Sequence, residues 1–108
     1  MYGSVQEVKV KVGLPVDDST YDEVLRAFVE EADALIDAAL NASGLDAPLV
    51  EPPPRIRKLS STIAALLFVA WRSPKRDEVT SYLRAVREEL EVLTEDLRSR
   101  GGVLLTGD

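Results

Sequence analysis

The sequence predicts an all-α protein, a bundle of three main helices at about 21–42, 54–72 and 76–98, with a short N-terminal element and an extended C-terminal tail. Three observations carry this. Apolar residues from Tyr21 to Leu40 recur at steps of three, four or one, the spacing of one helix face. Pro52-Pro53-Pro54 interrupts the chain, and the segment after it ends in nine consecutive apolar residues, Ile63 to Trp71. Val79, Leu83, Val86, Leu90, Leu93 and Leu97 step by four and three alternately, a narrow seam like that of a coiled coil. Residues 1–100 read as a single helical domain and 101–108 as a tail.

Taken in order, Ser4-Val5-Gln6-Glu7 is a capping-box sequence, in which Ser and Glu side chains satisfy the free amides of a helix start. A helix there would stop at Gly13. The alternation Val8-Lys9-Val10-Lys11-Val12 fits a strand equally well, and the cap and the glycine favour the helix. Leu14 to Ser19 is a loop. Thr20-Tyr21-Asp22-Glu23 is a second capping box, opening a helix from about Tyr21 to Ala42 that Asn41, Ser43 and Gly44 terminate. Residues 44–53 form a loop, with Leu49 and Val50 expected to turn inward.

Pro54 suits a first helical position, where a missing N–H costs nothing. The helix it opens should reach Arg72, because Ser73 precedes a proline and is pushed out of helical geometry. Its last part is apolar all round and must be covered on every side, by flanking helices or by neighbouring subunits. Leu67 is expected in the core there, and Trp71 as a lid over it. The third main helix should carry Arg84–Glu88, Arg87–Glu91 and Asp96–Arg100 as i,i+4 pairs on a solvated face. Gly101-Gly102 ends it. The remaining Val103-Leu104-Leu105-Thr106 is apolar and strand-like, a segment expected to lie against a partner.

Composition narrows function. The 45% of apolar residues argues against general disorder. There is no Cys and no His, which excludes thiol nucleophiles, disulfides, Cys/His zinc sites and a Ser-His-Asp triad. No apolar run approaches the ~20 residues of a membrane span, and no secretion signal is seen at Met1-Tyr2-Gly3-Ser4. Charge is distributed in blocks. Residues 1–50 hold ten acids and three bases, residues 51–76 six bases and one acid, and residues 77–108 eight acids and four bases. An acidic–basic–acidic order suits helices, or ring subunits, that attract one another, and most of the surface would repel a duplex.

Individual constellations read mostly as structure. Glu30, Glu31, Asp33 and Asp37 lie within two turns but lack the Glu-x-x-His pairs of a di-metal bundle, so they read as a solvated face. Ser60-Ser61-Thr62 has no base beside it in sequence and reads as small-residue packing. Gly101-Gly102 lacks the Lys-Ser/Thr of a phosphate loop. No catalytic, metal or cofactor residue is assigned, and the chain is not expected to be an enzyme. The candidate interface residues are Arg55, Arg57 and Lys58, with Val103, Leu104 and Leu105 of the tail. The three bases fall in the first turn of their helix, where the macrodipole disfavours cations. A negative partner is implied: an acid of the first long helix, a neighbouring subunit, or phosphate.

The layout resembles the small helical head–tail adaptor (connector) proteins of tailed bacteriophages and related viruses. The matching pieces are Ala32-Asp33-Ala34-Leu35-Ile36-Asp37-Ala38-Ala39-Leu40, then Pro53-Pro54-Arg55-Ile56-Arg57-Lys58-Leu59, then Ile63-Ala64-Ala65-Leu66-Leu67, a charged helix and a short Gly-flanked tail. Two departures stand out: Ala39-Leu40 replaces a common Tyr-Leu pair, and the loop before Pro52 is short. The resemblance implies a homo-oligomeric ring, a dodecamer, in the virion at the head–tail interface, assembled in the host cytoplasm. It would dock on the portal protein and receive a stopper or tail-completion protein. Genomic DNA would pass through its lumen without specific binding. The alternative is a small helical regulatory protein, anti-repressor or antitoxin-like, acting through protein–protein binding.

Overall fold

The computed structural model describes residues 1–72 and 76–99. These form four helices and, among the described residues, no strand: α1 (Val5–Val12), α2 (Asp22–Ala42), α3 (Pro54–Arg72) and α4 (Arg76–Ser99). The predicted all-α bundle, with its three main helices and short N-terminal element, is the observed fold, and α1 resolves the helix-or-strand question. The tail residues Val103, Leu104 and Leu105 lie outside the described residues, as does the end of α4's predicted surface pairing at Arg100.

α1 forms because both its ends are capped. The Ser4 hydroxyl accepts a bond from the Glu7 amide at 3.1 Å. At the other end Gly13 takes φ +77°, so the amides of Gly13 and Leu14 fold back onto the carbonyls of Val10 and Lys9. The same ending recurs after α2, with Gly44 at φ +81° and the amides of Gly44 and Leu45 on Asn41 and Leu40. Val8 is buried, with Val5 and Val12 partly buried beside it, which is helical spacing, while Val10 is 67% exposed.

The second capping box does not form. Tyr21 occupies the cap of α2 without a side-chain bond. Thr20 instead turns back, its amide and hydroxyl both donating to Asp18 Oδ1 at 3.0 and 2.6 Å. That local turn competes with capping, and it holds the Asp18 carboxyl below its ordinary pKa. Leu25, Val29, Ala32, Ile36 and Leu40 form the buried stripe of α2. Leu35, although within the predicted stripe, is 44% exposed. In the loop, Leu49 packs on the core but Val50 is fully open, contrary to expectation.

α3 is the central helix. It packs most extensively on α2 and next on α1, with α4 lying along its remaining flank. Ile56, Leu59, Ile63, Ala64, Ala65 and Phe68 are buried on it. Cover from the subunit's own helices is incomplete at its last turns, where Leu66 and Leu67 are half-buried and Val69 and Trp71 are exposed. The molecule is a slab of 41 × 31 × 16 Å, about two helices thick.

α4 follows its predicted seam only in part. Val86 and Leu93 are buried and Leu90 half-buried, but Leu83 is 45% exposed. A 3.5-residue pattern drifts by ~20° per heptad on a straight helix, so one end of such a seam turns away. Arg84, Arg87, Glu88 and Glu91 are exposed, and no ion pair joins them among the described residues. Asp96 instead meets Arg55 of α3 at 3.2 Å.

Candidate functional site

Arg55, Arg57 and Lys58 are all exposed, on the first turn of α3, where the amides of Ile56 and Arg57 close onto the Pro53 carbonyl. The structure separates the three. Arg55 bonds Asp96 of α4, so its negative partner is on the last helix rather than the first long one. Lys58 lines the same flank as Arg55, while Arg57 lies on another side of the helix. Neither Arg57 nor Lys58 forms an ion pair among the described residues.

That flank borders a groove between α3 and α4, with a volume of about 460 Å³. Its floor is largely apolar: Leu59 and Leu66 from α3 face Ala85, Val86 and Leu93 from α4, with Thr62 of α3 the polar residue among them. Arg55 and Lys58 stand at one mouth and Glu89 on the α4 wall. Along the groove Val86 and Leu93 of α4 are buried, while Leu66 of α3 is only half-buried.

A second open surface lies where the end of α3 meets the start of α2. Trp71 was expected as a core lid; it is 55% exposed. Its ring stands edge-on to Tyr21 and Phe28, both centroids at 6.3 Å, and tilted against Phe68 at 6.0 Å. The Arg72 guanidinium lies over Tyr21 and Phe68 at 5.3 and 5.5 Å. Trp71 and Arg72 are exposed there over half-buried Tyr21 and Phe28, and Trp and Arg are residue types that dominate binding surfaces.

A polar cluster that sequence reasoning missed fixes the start of the chain. Asp33, read as part of a solvated face, accepts the Tyr2 amide at 3.0 Å and the Ser60 hydroxyl at 2.5 Å. Asp37 accepts the Tyr2 hydroxyl, which in turn accepts the Leu49 amide at 2.8 Å. Ser61 donates to Glu7 and accepts the Ser4 amide, so the first capping box closes through a hydroxyl of α3. Burial, and then the Asp37 carboxylate, push the Tyr2 phenol up to about 12. Glu30 and Glu31 remain exposed, as expected. Ser60 and Ser61 do sit between helices, fully buried, but as hydrogen-bond donors to carboxylates. With each hydroxyl committed in this way, the cluster is arranged to hold backbone segments together.

Among the described residues, no three or more Asp and Glu gather as a metal site, and no helix is long and apolar enough to cross a membrane. Comparison with protein-family models, with curated proteins and with solved structures returns no match.

Proposed function

We propose that this chain is a structural head–tail adaptor of a tailed virus, assembling as a ring between the portal and a stopper or tail-completion protein. The observation that carries the reading is the incompletely covered central helix. Leu66, Leu67, Val69 and Trp71 are apolar and half-buried or exposed, on the helix that otherwise forms the core. Incompletely covered apolar side chains of this kind fit contact with another copy. Two faces of the subunit are open in this way, the Trp71 corner and the α3–α4 groove. Different faces meeting head to tail generate rings when the rotation closes. The residue-level resemblance along α2 and α3 supplies the specific assignment, including the portal as docking partner. The acidic surface of α2 and α4 suits a lumen that lets DNA slide.

Co-expression with the portal protein of the same genome tests this, read by native mass spectrometry and electron microscopy. The expected result is a ring of this chain seated on the portal ring. A stable monomer or dimer that never co-purifies with the portal, and instead captures a transcription regulator or toxin, would overturn it in favour of a regulatory role.

A further inference from the structure

The α3–α4 groove and the apolar tail are complementary in chemistry and in length. We propose that the groove of one subunit receives the Val103-Leu104-Leu105 segment of a second copy, with Asp108 of that copy at Lys58. This rests on the ring reading above and names the contact that would link its subunits. A groove of about 460 Å³ with a floor of Leu, Val and Ala side chains accepts a short aliphatic segment. From Arg55 to Leu66 it runs about 16 Å, long enough for five or so extended residues. Thr62 and Glu89 offer polar partners for the backbone of such a segment. Lys58 at the mouth is exposed and without an ion pair among the described residues, and Asp108 is the single acid of the tail.

The direction of the chain decides whose tail it is. The Arg55–Asp96 pair places the end of α4 at the basic mouth. The subunit's own tail would therefore enter there and run away from Lys58, carrying Asp108 toward the Ala85 end. The favourable direction puts Val103 over Leu66 and Val86 and Asp108 on Lys58. Val86 is thirteen residues, about 20 Å, back along α4 from Ser99. Val103 is only four residues beyond Ser99 and reaches about 14 Å at most. A neighbouring copy has no such restriction.

Because the chain has no cysteine, engineered pairs report cleanly. Full-length Glu89→Cys protein is mixed with isotope-labelled full-length Leu105→Cys protein, with and without the portal, under mild oxidation. The expected product is the mixed dimer, several-fold in excess of either homodimer. Asp108→Lys in the tail-donating chain should lower its yield several-fold, and Lys58→Glu in the accepting chain should restore it. The Glu89→Cys/Leu105→Cys double variant should give a ladder of linked subunits. A double variant linked only within each monomer would assign the groove to the chain's own tail and overturn the proposal. So would a mixed dimer no more abundant than the homodimers. A ring that still forms on the portal in that case would leave the adaptor reading standing while this contact fails.

Discussion

The Lys9 ammonium lies 2.6 Å from Asp22 Oδ1, joining α1 to the first turn of α2. Lys9 is buried and also donates to the Val16 carbonyl at 3.1 Å, so one side chain ties both helices to the loop between them. Asp22 Oδ1 accepts no well-aligned hydrogen bond, which makes the attraction chiefly Coulombic. Asp22 also sits where the positive end of a helix favours an acid. Removing the acid leaves a buried cation. Asp22→Asn should cost about 2–3 kcal/mol, below the full loss of a buried pair because Asp22 is a third exposed. Lys9→Met, which keeps the stem and drops the charge, should cost less. Urea midpoints decide it, and equal midpoints for Asp22→Asn and the parent chain would refute the assignment.

Gly3 has no room for a side chain. A Cβ there would come within 2.8 Å of Ser60 Oγ, 2.9 Å of Ser61 Oγ and 3.0 Å of the Ser61 amide nitrogen. The Ser61 amide is part of α3 and cannot swing aside, and both hydroxyls hold carboxylates. Gly3→Ala should destabilise by about 1–3 kcal/mol, an overpacking cost. Thermal melting should show a Tm lower by several degrees; an unchanged Tm would mean the N-terminal segment does not dock as described.

The Tyr2 phenol predicts a loss of stability at alkaline pH. Its folded pKa, about 12, lies above the ordinary value of 10.0. The folded state therefore holds the proton more tightly, and its stabilisation is complete below pH 10 and lost as pH rises toward 12. Tyr2→Phe should remove that part of the slope between pH 10 and 12 while lowering stability at pH 7. Parallel denaturation curves for the two proteins across that range would count against the Tyr2–Asp37 bond.

Trp71 is the single tryptophan and is more than half exposed in the subunit, so it reports assembly directly. Emission should be that of a largely hydrated indole in the isolated chain and shift to the blue in the ring. Trp71→Gln should keep the helical content and weaken assembly at least tenfold, as hot-spot truncation does. Identical emission in free and assembled protein would remove this corner from the interface.

The helices were legible because each is written in local signals: capping serine, helical apolar spacing, Pro54 at a start, glycine at an end. Ser4, Gly13, Gly44 and Pro54 act as read, and the stripe of α2 is buried or half-buried as read except at Leu35. What failed depends on distant partners. Asp33 and Asp37 look like surface acids until Tyr2 and Ser60 are brought against them. Lys9 looks like the polar half of an alternation until Asp22 and Val16 enclose it. Trp71 looks like a lid because local sequence cannot say how much of its ring the other helices leave uncovered. Arg55 was correctly expected to need an acid, but the acid came from 41 residues away, on α4.

Tyr2 and Ser4 form bonds to residues 31, 35, 47 and 57 positions away, on α2, on the connection after it and on α3. A ribosome makes these residues early, yet they have nowhere to settle until the segment around Ser61 has emerged and α2 has met α3. Their docking waits on the closure of these long loops rather than on local preference. Until then α1, eight residues long and marginal by itself, is an exposed and protease-sensitive stretch of nascent chain.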